Sequence, residues 1–125
     1  MARILIIDDD PDTRSMLEDV LKSARHQTVT AADGKEGVKQ YLANPADLVI
    51  TDIFMPNQDG FQTIAELRKQ FPAVSIIAIS GKDSVAGILS IARTLGATEV
   101  LQKPFTPAQL LTAADNALRR QPPGA

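Results

Sequence analysis

The sequence has 125 residues, of which 44% are hydrophobic and 22% are charged, a balance that is ordinary for one globular domain with a single core. It contains no cysteine, which excludes disulfides, thiolate metal sites and thiol nucleophiles. The net charge of −2 gives no support for direct nucleic-acid binding, and no apolar run is long enough for a signal peptide or a membrane span. We therefore expect a cytoplasmic protein that binds neither nucleic acid nor membrane directly.

Short apolar runs alternate along the chain with segments of helical periodicity. The runs at 4–7 and 76–79 are apolar at every position, as in strands that are buried on both faces of a sheet. This order predicts an α/β fold of five βα units, (βα)5, with a doubly wound parallel sheet that carries helices on both faces. The predicted strands are 3–7, 27–31, 47–51, 75–79 and 99–102.

Capping residues agree with these boundaries. Asp10-Pro11 and Thr106-Pro107 each place a capping side chain before a proline that suits the first helical turn. Gly96 follows the fourth helix, where a C-terminal glycine belongs. Residues 1–120 are therefore predicted to form one domain, and 121–125, which are rich in proline and glycine, a tail or the start of a linker.

Polar side chains follow four of the five predicted strands. The first strand is followed by Asp8 and Asp9, the third by Asp52, the fourth by Ser80, and the fifth by Lys103. Ligands of open parallel sheets bind outside the carboxyl ends of the strands, so these side chains are expected to share one edge.

Such a set of side chains has a chemical meaning. Three carboxylates close together repel one another and become partly protonated unless a cation shares the site. Their oxygens suit a hard divalent ion, Mg²⁺ before Ca²⁺. A lysine and a hydroxyl beside such an ion could bind a phosphoryl group, and a carboxylate can act as the nucleophile that accepts it.

Each residue also has an ordinary structural explanation. Asp10 can cap a helix and Asp12 can interact with its dipole, although neither role accounts for the acids before them. Asp52 could start a turn, Ser80 could belong to a Ser-Gly turn, and Lys103 could be a solvated loop lysine.

Taken together, these motifs resemble the receiver domains of two-component response regulators, the CheY-like family, from Ile4 to about Leu118. The resemblance implies a flavodoxin-like sheet of strand order 2-1-3-4-5. The segments that carry it are Ile6-Ile7-Asp8-Asp9-Asp10, Asp52-Ile53-Phe54-Met55-Pro56 with Asp59-Gly60, Ser80-Gly81, and Lys103-Pro104-Phe105.

The resemblance implies that Asp52 accepts a phosphoryl group from the phosphohistidine of a histidine kinase or a histidine phosphotransfer protein. It further implies that Mg²⁺ is the cofactor, bound by Asp9, Asp52 and the backbone carbonyl of Phe54, with Asp8 acting through water. Such a domain is not an enzyme and assists only its own phosphorylation and slow dephosphorylation.

By the same resemblance, Ser80 binds the arriving phosphoryl oxygen and Lys103 forms an ion pair with it. The Lys103-Pro104 peptide bond is expected to be cis. Phosphorylation is expected to switch the surface formed by the fourth helix, fifth strand and fifth helix, which would bind an output partner or a second copy. The fourth helix, predicted over 84–93, is apolar on several faces, which tight packing would also explain.

One position departs from the family pattern, and two others lie where the family varies the rate of phosphate loss. Val100 stands where the family often has an aromatic residue that couples to the hydroxyl, which puts that aromatic switch in doubt. Phe54 and Lys82 stand where the family tunes phosphate loss. Phe54 cannot hydrogen-bond an attacking water and Lys82 could cover the phosphoryl group, so self-dephosphorylation is expected to be slow.

Two other functions remain as alternatives. A receiver-like interaction module that is never phosphorylated would be consistent with Val100. A phosphatase of the haloacid dehalogenase class is a further alternative because Asp8-x-Asp10 after an apolar strand resembles its nucleophile motif. That class usually carries a cap insertion, for which the chain has little room.

Overall fold

The computed structural model describes residues 2–53, 60–81 and 87–119, without the side chain of Leu89. Strands and helices alternate throughout these ranges, as the sequence predicts. In chain order they are β1 (Arg3–Ile7), α1 (Pro11–Ser23), β2 (Gln27–Ala31), α2 (Gly34–Ala43), β3 (Leu48–Asp52), α3 (Gly60–Gln70), β4 (Ser75–Ser80), α4 (Ile88–Leu95), β5 (Glu99–Gln102) and α5 (Pro107–Arg119).

The strands form one parallel sheet in the order β2-β1-β3-β4-β5, which confirms the predicted fold class and strand order. Helices cover both faces. Val49 and Ile76 belong to a core beneath α2, α3 and α4, whereas Ile6 and Ile50 belong to a core beneath α1 and α5. Burial on both faces explains why these strands are apolar without alternation.

Three predicted strands have the observed bounds, and the other two, β3 and β4, end one residue later than predicted, with β3 also beginning one residue later. Asp52 still pairs with Ile79, and Ser80 still pairs with Gln102, so both polar residues close a strand instead of opening a loop. The ladder continues because the next amide, that of Ile53, donates to the Ile79 carbonyl at 3.0 Å. Backbone pairing in the sheet therefore fixes the positions of both residues, Asp52 and Ser80.

The predicted helix caps are present. The Asp10 side chain caps α1 by accepting from the amide of Asp12 at 3.1 Å. At α5, the Thr106 hydroxyl accepts from the Gln109 amide while the Gln109 side chain accepts from the Thr106 amide, a reciprocal capping box. Gly96 ends α4 with a φ of +127°, a conformation that favours glycine.

The fourth helix differs from its prediction. Its observed range is Ile88–Leu95, with Gly87 before its first residue, whereas the sequence predicts a helix over 84–93. The positive φ of Gly87, +97°, separates the helix from what precedes it. Residues 82–86 and the predicted tail 121–125 lie outside the described residues. In the described ranges, no helix is long and apolar enough to cross a bilayer.

Candidate functional site

The acidic residues meet at the carboxyl edge of the sheet because β1 and β3 are neighbours in register, with Ile7 beside Thr51. Asp8 follows β1 directly and Asp52 is the last residue of β3. One carboxylate oxygen from each of Asp8, Asp9 and Asp52 lies within 4.8 Å of the others. The predicted convergence of the three acids is thus present in the structure.

Lys103 reaches this cluster from the other side of β4. Its Nζ lies 3.5 Å from Asp52 Oδ2 and 3.9 Å from Asp8 Oδ2. The predicted cis peptide bond between Lys103 and Pro104 is present, and the Lys103 amide donates to the Ser80 carbonyl at 2.7 Å. The lysine therefore points at the acids and is not a solvated loop residue.

Asp8 is buried and carries the clearest electrostatic perturbation of the site. Its Oδ1 accepts from the Asp10 amide at 2.9 Å, whereas no hydrogen bond from a described residue reaches its Oδ2. Burial, reinforced by the charges of Asp52 and Asp9, raises the pKa of Asp8 to about 6, against the lowering effects of the Asp10 amide and Lys103. The positive charge near the ionised form of Asp8 therefore does not offset the cost of burying it beside other carboxylates.

These observations fit a hard divalent cation. Three carboxylates supply oxygen ligands, and one buried oxygen of Asp8 accepts no hydrogen bond from any described residue. Asp9 is exposed, which leaves the cluster open to solvent. Mg²⁺ suits such a set better than Ca²⁺ because it binds through few carboxylates and keeps several waters. Asp8, Asp9 and Asp52 are the side chains that could hold it.

Ser80 lies on the strand beside the phosphoacceptor candidate. It follows Ile79, the partner of Asp52 in the ladder, and is fully buried. Val100 pairs with Ala78 one strand further and is half-buried against the core beneath α2, α3 and α4. Phe54 and Lys82 lie outside the described residues, so the roles predicted for them stay predictions.

Two residues near the site have roles that the sequence did not reveal. A Cβ on Gly60 would collide with the backbone carbonyl of Asp52 and lie 2.5 Å from Ile53 Cα, so a larger residue at the start of α3 would have to displace this backbone. The Asp-Gly pair indicated only a turn. Arg14 Nη1 donates to the Asp8 carbonyl at 2.7 Å, which fixes the end of β1 against α1. A cation four residues after the helix cap was a signal that could have indicated this contact.

Comparison with known proteins agrees with this geometry. The family model described as "Response regulator receiver domain" matches residues 4–115. The chain is 37% identical over 106 residues to "Probable C4-dicarboxylate response regulator DctR" of Bacillus subtilis, covering 82% of this chain and 46% of that protein. It is 34% identical over 121 residues to "Probable transcriptional regulator ycf27" of Porphyridium aerugineum, covering 94% of this chain and 48% of that protein. The chain thus spans less than half the length of both relatives.

Solved structures of response regulators also resemble this chain. A response regulator receiver domain protein from Clostridium thermocellum has a TM-score of 0.88 and 31% identity, with 96% of both chains covered. The chemotaxis response regulator CheY4 of Vibrio cholerae has a TM-score of 0.85 and 29% identity, covering 94% of this chain and 98% of that one. Because the family model covers most of the sequence and the fold and acidic edge agree with it, the chain belongs to the response regulator receiver domain family of two-component systems.

Proposed function

We propose that this receiver domain, acting in the cytoplasm, accepts a phosphoryl group on Asp52 from a phosphohistidine in a histidine kinase or a histidine phosphotransfer protein. The observation that carries the proposal is the placement of one lysine ammonium and two further carboxylates around the buried carboxylate of Asp52. Lys103 Nζ lies 3.5 Å from Asp52 Oδ2, and carboxylate oxygens of Asp8 and Asp9 lie within 4.8 Å of an oxygen of Asp52.

Asp52 is the nucleophile in this proposal. One of its oxygens attacks phosphorus, a P–O bond forms as the P–N bond to the donor imidazole breaks, and the imidazole leaves with the bonding electron pair. Asp52 suits this role because the β3 backbone fixes its position in the sheet while Asp9 beside it is exposed. The donor phosphohistidine would therefore approach, from the accessible edge of the sheet, a carboxylate of Asp52 whose position is already fixed.

Mg²⁺ is the proposed cofactor, held by Asp8, Asp9, Asp52 and, by family resemblance, the Phe54 carbonyl. When bound, it supplies positive charge that offsets the phosphoryl oxygens and the clustered carboxylates. Two observations support this proposal: Asp8 Oδ2 is buried without a hydrogen bond from the described residues, and the pKa of the same carboxyl group is raised.

Lys103 and Ser80 are proposed to hold the phosphoryl group after transfer. Lys103 already lies between two carboxylates, so its ammonium can exchange a carboxylate oxygen for a phosphoryl oxygen with a small displacement. The Ser80 hydroxyl is buried at the end of β4 and would turn toward the phosphoryl group to donate one hydrogen bond.

Phosphorylation is proposed to change the surface formed by α4, β5 and α5, and so the affinity for an output partner or a second copy of the chain. The phosphoryl group adds about 1.5–2 negative charges, and coupling between two sites is typically worth about 1–3 kcal/mol. Ser80 would link the phosphorylated site to this surface because its carbonyl accepts a hydrogen bond from the amide of Lys103, the residue that follows β5.

The test is phosphorylation by a small-molecule donor. We expect the protein, incubated with Mg²⁺ and acetyl phosphate, to gain the mass of one phosphoryl group. Asp52→Asn should gain none, whereas Asp12→Asn, which alters an exposed acid in the first turn of α1, should match the native chain. Absence of the adduct in the native chain would contradict the proposal and favour an interaction module. Continuous release of phosphate would favour a phosphatase.

A further inference from the structure

The two ends of α4 are held in different ways. At the C-terminal end, the Gly96 amide donates to the carbonyls of Arg93 at 3.0 Å and Ala92 at 3.2 Å. The following amide, that of Ala97, donates to the Ala92 carbonyl at 2.9 Å. These bonds, together with the left-handed φ of Gly96, close the helix in the manner of a Schellman motif.

Arg68 of α3 attaches this closed end to the rest of the domain. Its Nη2 donates to the Gly96 carbonyl at 2.7 Å and its Nη1 to the Pro72 carbonyl at 2.6 Å, so one guanidinium joins the end of α3 to the end of α4. The packing is close, because a Cβ on Gly96 would lie 2.9 Å from Arg68 Nε. Hydrogen bonds from a charged, half-buried group are stronger than neutral ones.

A second attachment follows at once. The Thr98 amide donates to the Ile76 carbonyl at 2.7 Å, and the Thr98 hydroxyl accepts from the Ile76 amide at 3.1 Å. The segment between α4 and β5 is therefore bonded to β4 as well as to α3.

At the N-terminal end of α4 the described residues provide fewer hydrogen bonds, although Ile88 packs, partly buried, against the core beneath α2, α3 and α4. Gly87 stands at the cap position with a φ of +97° and supplies no side-chain hydrogen bond. Of the α4 side chains that the structure describes, Ala92 is the buried one, and Ile91 is 49% exposed. Helix amides without a cap and with little burial open at low free-energy cost.

We propose that Arg68 is a positioning residue that anchors the C-terminal end of α4, so that phosphorylation turns the helix about Gly96 and moves mainly its N-terminal end. The inference rests on the proposed function. Ser80 ends β4 at the same edge of the sheet as Asp52, and the chain continues from it to the N-terminal end of α4. A displacement of Ser80 therefore reaches that end of the helix first. The helix is about 12 Å long, which makes it a lever between the anchor and Gly87.

The anchor gives the switched surface a defined second position. With one end fixed, a displacement at Gly87 becomes a rotation that carries the exposed Ile91 side chain along a single path. Without the Arg68 bonds, the Thr98 bonds to β4 would be left to hold this end, and the same displacement would shift the C-terminal end of the helix as well. Arg68 would thus determine how the phosphorylated domain presents α4 to a partner, although it lies outside the acidic cluster.

Amide hydrogen exchange by NMR tests this inference, with and without Mg²⁺ and acetyl phosphate, and with the phosphorylated fraction measured by intact mass. In the native chain, phosphorylation should change the exchange rate of the Ile91 amide by roughly tenfold and those of Gly96 and Ala97 by less than about twofold. In Arg68→Met, Gly96 and Ala97 should exchange roughly tenfold faster before phosphorylation and should respond to it as strongly as Ile91.

Matched variants separate anchoring from general damage. Lys69→Met removes an exposed cation from the next position of α3 and should behave as the native chain. Arg68→Lys keeps the charge but not the two-pronged donor geometry, so it should restore part of the protection. Protected Ile6 and Val49 amides would show that the sheet of each variant is intact.

The outcomes are distinct. If no adduct forms on Asp52, the proposed function fails. If the adduct forms in the native chain but Gly96 and Ala97 respond as strongly as Ile91, the anchor is overturned while the proposed function stands. An Arg68→Met variant whose exchange pattern matches the native one would overturn it equally.

Discussion

Lys103 Nζ lies 3.5 Å from Asp52 Oδ2, and the two residues reach each other across β4, which separates their strands in the sheet. The lysine is close enough to neutralise part of the charge on Asp52 and lies beside the carboxylate that is proposed to carry the phosphoryl group. In the proposed function it would therefore have two opposing effects: it would repel a metal ion before phosphorylation and attract the phosphoryl oxygens during transfer.

Replacing Lys103 by Met should separate these effects. Without the ammonium, Mg²⁺ should bind about fivefold more tightly, because one repulsive charge close to the carboxylates is gone. Phosphorylation by acetyl phosphate should slow by a factor on the order of 10², because the charge that stabilises the transferring oxygens is lost. Titration calorimetry measures the first change, and the rate of adduct formation by mass spectrometry measures the second.

Lys103→Arg is the matched control for the charge. It keeps a cation, so its Mg²⁺ affinity should stay near that of the native chain, whereas its planar group should restore the rate only in part. Tighter Mg²⁺ binding in both variants, or in neither, would contradict a charge effect at this position.

Asp8 predicts how Mg²⁺ binding depends on pH. Its pKa is raised to about 6, chiefly by burial, so protons should compete with the proposed metal ion for this carboxylate at slightly acidic pH. Mg²⁺ affinity should fall as the pH drops from 7.5 through 6, and further below it. In Asp8→Asn the affinity should be weaker at every pH and should lose most of this dependence. An unchanged dependence in that variant would contradict the assignment to Asp8.

The same raised pKa bears on stability without metal. Asp8 keeps its proton in the folded state up to about pH 6, whereas an unfolded aspartate releases it near 3.8, so the folded state is favoured at low pH. This contribution is lost as the pH rises between those values. Above pH 6, Asp8→Asn should therefore raise the free energy of unfolding by up to about 3 kcal/mol.

Urea unfolding of both chains in EDTA measures that difference. At pH 7.5 the Asn variant should have the higher midpoint, and the gap should narrow toward pH 4, where the native carboxyl group is protonated as well. Added Mg²⁺ should raise the midpoint of the native chain more than that of the variant. A variant that is less stable than the native chain at pH 7.5 would show that the hydrogen bond from Asp10 outweighs the burial of charge.

The sequence predicted the acidic edge because two local facts sufficed: each acid follows an apolar strand, and parallel strands end at one edge. The caps of α1 and α5 were also local signals, whereas the cis bond before Pro104 was expected from the resemblance to the receiver family. Gly60 and Arg68 were beyond such reasoning. Gly60 is required by the position of Asp52 in the folded chain, and Arg68 contacts Gly96, which is distant in the sequence, so neither role leaves a local pattern.

The crowding at Gly60 leads to a prediction about stability and reactivity. Gly60→Ala places a methyl group against the Asp52 carbonyl and Ile53 Cα, so it should cost roughly 1–3 kcal/mol and slow phosphorylation by displacing the end of β3. Gly81→Ala is the matched control, because a Cβ there meets no atom of the described residues within 4 Å. Its unfolding free energy should change by less than about 0.5 kcal/mol. Equal effects of the two substitutions would contradict the steric explanation.

Phosphate loss from the native chain is expected to be slow, since Phe54, two residues after Asp52, carries no group that could position an attacking water. Phe54→Asn supplies an amide there, and the phosphorylated form should decay roughly tenfold faster or more. Phe54→Leu removes the ring without adding a hydrogen-bonding group, so it should decay as slowly as the native chain. Intact mass followed over time after removal of acetyl phosphate measures all three rates. Faster loss in both variants would mean that the ring shields the phosphoryl group from water. Unchanged rates in both would show that Phe54 does not control the rate of phosphate loss.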